Sequence, residues 1–258
     1  MEGTPEAKDM SSTYENFIAH CPWCGRENIF NRATDLRTFY PIDYLVVNCL
    51  SAECAKAFYL NGDVVNPAYE MIIFDCYELL KRKYYAYCIL NLAQAFEVFF
   101  SQYLRVDLLY KPFARGPLED IERLNNVMAL LYDKTRKLSF DRMKNLFLSC
   151  VLDGARPKSL PEAEDIINGF SDKSPCPSDE QITNATISGH EGVRELLLRL
   201  KSCKVPEKRN RVVHQHAYRP TLDEVNEALK ETREILFPLG STLDVRIDDA
   251  NLYRRKRT

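Results

Sequence analysis

The sequence has no run of about 18 apolar residues, the length a helix needs to cross a bilayer. Its first residues, MEGTPEAKDMSS, lack the apolar core of a secretory signal. A cytoplasmic protein with no membrane association is expected. Neither charge sign dominates: 35 Lys and Arg face 37 Asp and Glu, for a formal net charge of −2. That balance excludes attraction to nucleic acid by the summed field and leaves only local clusters to do it. Internal repeats and low-complexity stretches are absent, and neither proline nor glycine occurs between Pro67 and Pro112.

What is present is ordinary for a folded chain. Of the 258 residues, 45% are hydrophobic and 28% charged, too apolar for disorder and sufficient for a proper core. The length accommodates a small domain followed by a medium one. Nine cysteines in a reducing compartment are expected as thiols, so paired spacings point to metal sooner than to disulfides.

Such pairs occur early. Cys21-Pro22-Trp23-Cys24-Gly25 has the C-x2-C spacing that lets a tight turn aim two thiolates at one ion, and Cys49 and Cys54 follow as C-x4-C. Residues 28–30, 37–42, 44–47 and 56–60 are β-branched and aromatic, bounded by Asn, Asp and Gly, and read as strands of a small antiparallel sheet. The pattern resembles a zinc ribbon. About 50 residues have too little core to stand alone, the condition under which a structural metal is needed. Four thiolates from Cys21, Cys24, Cys49 and Cys54 close the coordination sphere, so structural Zn2+ with no open catalytic position is expected. The other five, Cys76, Cys88, Cys150, Cys176 and Cys203, read as small apolar fillers.

Composition changes at Asn66-Pro67, a cap followed by a first-turn proline. Helices are expected over 67–81 and 83–109, broken at Lys81-Arg82-Lys83, then over 118–137, 140–152, 160–168, 179–186 and 189–203. Ser139, Ser159 with Glu162, and Ser178 with Gln181 look like caps. A capping box at Thr221 and Glu224 opens a last helix that Pro238 and Gly240 should end. On the second helix Tyr85, Cys88, Ile89, Leu92, Phe96, Phe99, Phe100 and Tyr103 form a core stripe. Glu97 beside it belongs at the solvated edge, unless a cationic partner draws it inward. Consecutive helices without intervening strands make a mainly α protein, an antiparallel helical bundle preceded by a small β zinc ribbon. The expected division is a disordered 1–14, the ribbon at 15–64, the helical domain at 66–243 and a basic tail at 244–258.

One stretch concentrates chemistry. Lys208-Arg209-Asn210-Arg211-Val212-Val213-His214-Gln215-His216-Ala217-Tyr218 combines three cations, two amides, two imidazoles and a phenol. Arginine offers a permanent charge and a fork of donors suited to phosphate, and histidine changes charge near neutral pH. Together they point to chemistry on a phosphodiester. Arg209 and His214 are five apart, a rotation of roughly 140° on a regular helix. They share one phosphate only if the arginine reaches round or its end of the stretch lies outside the helix, and Pro206 favours a loop or a first turn there.

Arg209-Asn210-x3-His214, after a long helix carrying Leu92-Ala93-Gln94-Ala95-Phe96-Glu97 and before a capped final helix, resembles the signature of the HEPN family of helical nucleases. That signature is an Arg, usually followed by a polar residue, with a His after four to six intervening positions. The resemblance covers residues 67 to about 240, and the order of elements is similar to that of members with an N-terminal zinc ribbon. It implies a metal-independent endoribonuclease of phage-defence or toxin–antitoxin systems, active as a homodimer with the two motifs facing each other. RNA would be the substrate, and a cognate antitoxin or defence-system protein a partner. No cofactor would serve catalysis.

Attack of a ribose 2'-OH on its phosphate needs a proton acceptor, a proton donor and a cation for the added charge. His214 would move a proton, Arg209 would stabilise the phosphorane, Asn210 would orient the phosphate or the imidazole, and Glu97 would hold Arg209. A second register, Arg211-x4-His216 with Tyr218 two positions on, also fits. It is similar to members in which that tyrosine is modified by the antitoxin. Arg209 and His216, seven steps apart, would share one helix face. The spacing after Arg-Asn favours Arg209 with His214. The alternative is a noncatalytic module that binds nucleic acid or protein through the ribbon, with Arg26, Arg32 and Arg37 beside Trp23, Phe30 and Tyr40, and dimerises through the bundle.

Overall fold

The computed structural model describes residues 16–31, 35–36, 45–60, 68–113, 118–154, 156–170, 175–185, 187, 192–215, 217–245 and 254–255. The chain divides into two compact units, Met1–Met71 with Ile247–Thr258, and Ile72–Arg246. The expected strand over 37–42, the turn and cap at 61–67, residues 1–14, most of the basic tail and His216 lie outside the described residues.

In the first unit β1 (Asn16–His20) pairs antiparallel with β2 (Glu27–Asn31), in a register that sets Phe17 opposite Phe30 and His20 opposite Glu27. β3 (Leu45–Asn48) pairs with β4 (Ala57–Leu60), and β5 (Arg254–Arg255) adds to the other edge of β4. Among the described residues the expected single sheet is therefore two, of two and three strands. Alternation explains the packing, since side chains of a strand point to opposite faces in turn. Along β4, Phe58 and Leu60 are buried and Ala57 and Tyr59 only partly so; along β3, Val46 is exposed between the half-buried Leu45 and Val47. Phe30, Leu36, Phe58 and Leu60 form the small core with Ala19, Cys21 and Cys49, and the Phe30 and Phe58 rings sit 6.5 Å apart.

The second unit is helical. α1 (Ala68–Lys81) starts at its boundary and ends in a left-handed residue, Lys83 at φ +60°. The Lys83 amide donates to the Leu80 carbonyl and the Tyr84 amide to that of Leu79. This is the Schellman arrangement, with lysine where glycine usually stands. α2 (Tyr85–Arg105) follows and is the axis of the bundle, packing most closely against three helices described below. Its buried Phe96, Phe99, Phe100 and Tyr103 meet Phe140 and Phe147, with centroid separations between 4.9 and 6.0 Å. Offset and edge-to-face aromatic pairs each add about 0.5–1.5 kcal/mol beyond burial. α2 does not simply stop near residue 109. It widens into a π-helical turn, Val106–Tyr110, whose far side is bonded from the Lys111 amide to the Val106 carbonyl, and then resumes as α3 (Lys111–Phe113).

α4 (Leu118–Thr135) turns Leu124, Val127 and Leu131 inward. α5 (Phe140–Asp153) is preceded by Ser139, whose side chain makes no cap bond, so its start rests on packing. α6 (Leu160–Asn168) and α7 (Asp179–Asn184) carry the expected caps from Ser159 and Ser178. α8 (Val193–Ser202) leads into α9 (Val205–His214), a helix of its own with Pro206 in its first turn. α10 (Leu222–Thr242) opens on the Thr221–Glu224 capping box. α5, α9 and α10 are the three that pack most closely on α2, and α4 touches it as well. Pro238 and Gly240 do not end α10: both lie inside it, and Asp244 at φ +48° closes it, with the Val245 amide bonded to the Gly240 carbonyl. Aspartate tolerates the left-handed region better than most residues, which is why the stop falls there. Of the single cysteines, Cys76, Cys88 and Cys203 are buried as fillers and Cys150 is partly so, but Cys176 is exposed. Among the described residues no helix is long and apolar enough to cross a membrane.

Candidate functional site

In the first unit each cysteine pair occupies the turn of one hairpin. In the β1–β2 turn the Cys21 amide bonds to the Arg26 carbonyl, the Gly25 amide returns to Cys21, and the Trp23 amide points at the Cys21 sulfur at 3.4 Å. In the β3–β4 turn the Cys49 amide bonds to Lys56, while Cys54 and Ala55 both donate to the Ser51 carbonyl, which takes up the two extra residues. The residue after each second cysteine is left-handed, Gly25 at φ +72° and Ala55 at φ +45°. The two turns face each other. Cys21 and Cys54 sulfurs are 3.8 Å apart, as are Cys24 and Cys49, and all four lie within 4.8 Å of one another. Sulfurs at about 2.3 Å from a tetrahedral ion are about 3.8 Å apart along each edge. The four could hold one metal ion, as the spacing predicts.

Asn28, Arg26 and Trp23 fasten the two turns together, a role that the sequence does not signal. Asn28, 2% exposed, donates to the carbonyls of Arg26 and Ala19 and accepts the Leu50 amide at 2.6 Å. Arg26 reaches across to Ser51 and Glu53, and the Trp23 indole donates to the Ala57 carbonyl under Lys56. Phe30 is buried, which removes it from the expected base-stacking surface, and Arg26 is exposed but paired with Glu53; Arg32, Arg37 and Tyr40 fall outside the described residues.

The second unit carries the Arg/His motif on α9. Val205, Arg209 and Val212 turn toward the bundle, while Asn210, Arg211 and His214 are exposed. Two of the three cations are committed to α10. The Lys208 ammonium donates to the Glu224 carbonyl at 3.0 Å and pairs with Glu227 at 3.3 Å. Arg211 lies 3.9 Å over the Tyr218 ring and 3.4 Å from Glu224, whose carboxylate also accepts the Tyr218 hydroxyl at 2.9 Å. The Thr221 amide in particular, with that hydroxyl and Arg211, holds the Glu224 carboxyl below the usual carboxylate range. Arg209 is different. It donates to the Asn210 side-chain oxygen at 3.1 Å and has no carboxylate within 4 Å among the described residues.

The carboxylate that feels the Arg209 charge is Glu97. That side chain is half-buried on α2; burial raises its pKa above the usual carboxylate range and the Arg209 charge works against the rise. Glu97 thus sits half-buried between the core stripe and solvent. A cleft of about 220 Å³ opens beside it, with Gln94, Tyr132 and Arg136 in its wall. Arg209 and His214 are not brought together within the chain. Both lie on a regular helix, about 140° apart and about 7.5 Å along its axis. Asn210 and His214, four apart on the exposed side, are neighbours on the helix surface.

No family model matches the sequence, and neither a curated protein nor a solved structure does. The cysteine cluster was legible from spacing alone, whereas the Glu224 cluster was signalled only as a cap and Asn28 only as a polar residue in a strand.

Proposed function

We propose that the helical unit is a metal-independent endoribonuclease of the HEPN type, acting in the cytoplasm as a toxin or phage-defence effector, and that the cysteine unit holds a structural Zn2+. The observation that carries the nuclease reading is the division of labour on α9. Lys208 and Arg211 are spent on α10, whereas among the described residues Arg209 has no carboxylate within 4 Å, bonds to Asn210 and acts on Glu97 through charge. That favours Arg209 over Arg211 as the phosphate ligand.

In this reading the imidazole of His214 takes the proton of a ribose 2'-OH. The 2'-oxygen bonds to phosphorus, and the bond to the 5'-oxygen breaks as that oxygen gains a proton. The products are a 2',3'-cyclic phosphate and a 5'-hydroxyl. Arg209 neutralises the phosphorane, a role worth several kcal/mol in a preorganised site. Asn210, accepting from Arg209 and adjoining His214 on the helix surface, orients the phosphate or the imidazole, and Glu97 attracts the guanidinium through charge. The angle between Arg209 and His214 calls for two chains, so that the second proton transfer comes from the other copy of His214 in a homodimer. Four thiolates with no open position suit zinc in a structural role; bound there, the ion joins the two turns that Asn28 and Arg26 already bridge.

The purified protein is incubated with RNA in chelator, and the wild type is compared with His214→Ala and Arg209→Ala. Cleavage by the wild type alone, leaving cyclic phosphate ends, is expected. Equal cleavage by all three rejects the assignment. Binding of RNA without cutting by any of them favours a noncatalytic module, and toxicity on expression that disappears with Arg209→Ala favours an effector held in check by an antitoxin.

A further inference from the structure

The turn between α1 and α2 presents Lys81, Arg82 and Lys83, all exposed, followed by the exposed rings of Tyr84 and Tyr87. Lys81 pairs with Glu78 at 2.6 Å, but Arg82 and Lys83 have no carboxylate within 4 Å among the described residues. The two rings stand edge to face, 6.1 Å apart, and are 52% and 62% exposed. Exposed aromatic rings beside cations combine a face on which bases stack with charges that hold a phosphate backbone. The turn is also fixed in shape by its Schellman bonds and the left-handed Lys83, so these groups are held out on a rigid corner.

The patch continues along α2. Tyr87 and Gln94 are seven residues apart on that helix, which places them about 20° apart in direction and about 10 Å apart in height. Gln94 lines the cleft that Glu97 shares with Tyr132 and Arg136, and Tyr132 is a further aromatic at 62% exposure. Tyr87 and Gln94 thus lead from the corner to the cleft that Gln94 lines with Glu97 and Tyr132.

We infer that this line is the docking track for single-stranded RNA, with Arg82 and Lys83 on phosphates, Tyr84 and Tyr87 stacking on bases, and the strand leading along α2 to the Glu97 cleft. Aromatic faces read every base, and cations track the backbone, so the track is sequence-tolerant and selects unpaired over duplex strands. The inference rests on the ribonuclease reading for where the strand leads, not for whether it binds.

The full chain carrying His214→Ala, which separates binding from cutting, is titrated against a labelled 12-nucleotide single-stranded RNA by fluorescence anisotropy. Tyr84→Ala with Tyr87→Ala should weaken binding about tenfold or more, and the corresponding phenylalanine pair should restore it. Arg82→Gln with Lys83→Gln should lower the slope of log affinity against log salt by about 1.4, two single-strand phosphate contacts. Unchanged affinity in the alanine pair overturns the proposal. So does preference for a 12-base-pair duplex, stronger binding to phosphatidylserine vesicles than to RNA, or a change of oligomeric state in the alanine pair. If the wild type binds the strand through these residues but never cuts it, the nuclease reading fails and the track stands. If it cuts with the same KM after the tyrosines are removed, the track fails and the nuclease stands.

Discussion

Glu97 on α2 and Arg209 on α9 are coupled through charge, not contact: the guanidinium lowers the pKa of a carboxyl that burial has raised. Arg209→Ala should therefore push the Glu97 titration higher still, as followed by carboxyl 13C shifts. The sign for stability follows. A carboxyl whose folded pKa exceeds its unfolded value contributes stability below the unfolded value, and the contribution is lost as pH climbs through the folded one. The variant should lose more on that climb than the wild type, and Glu97→Gln should abolish the difference between them. An unmoved titration would place Arg209 outside the reach of Glu97.

Metal removal should loosen the first unit before the second. The four sulfurs ring one centre, and like-charged thiolates held this close without an ion repel one another. One equivalent of zinc per chain by elemental analysis is expected. Cobalt substitution should give the visible absorption of a tetrahedral thiolate site. A strong chelator should unfold the β unit while leaving most of the helical circular dichroism, because the helices belong to the other unit. Loss of helix in step with metal would contradict this.

Ala55 stands where Gly25 stands in the first turn, yet it carries a Cβ at φ +45°. A left-handed non-glycine residue costs about 1–2 kcal/mol, partly offset by the added unfolded-state freedom of glycine. Ala55→Gly should raise the stability of the metal-bound unit by up to about 1 kcal/mol, and Gly25→Ala should lower it by at least as much, both read from chelator competition and thermal melts.

Asn28→Ala should cost about 1–3 kcal/mol, because it leaves the Leu50 amide without its acceptor and buried donors are expensive to orphan. The loss should appear as faster zinc release to a chelator. Asn28→Asp keeps an acceptor for Leu50 but sets a carboxylate against the Arg26 and Ala19 carbonyls, so it should not rescue.

The readable parts of the sequence were those governed by short-range rules. Cysteine spacing, the Ser178 and Thr221 capping boxes and the aromatic stripe of α2 each depend on residues within a few positions, and each stands as expected. The rest turned on tertiary context. Pro238 reads as a stop, but α10 runs past it to the left-handed Asp244. Ser139 has the right identity for a cap and makes no cap bond. The commitment of Arg211 to Glu224 and Tyr218, which separates it from Arg209, depends on α10 lying beside α9 and cannot be read from spacing.

The π-helical turn at Val106–Tyr110 stores one residue of slack in the chain. Shortening it by one would return the segment to ordinary helical period and swing Lys111 by about 100°. Lys111 now donates to the Leu243 carbonyl at 2.9 Å and approaches the buried Asp107 at 3.6 Å. Such a deletion would unfasten the far end of α10 while Glu97, upstream on α2, kept its register, so chain length at this point trims the bundle's closure independently of the helix face that meets Arg209.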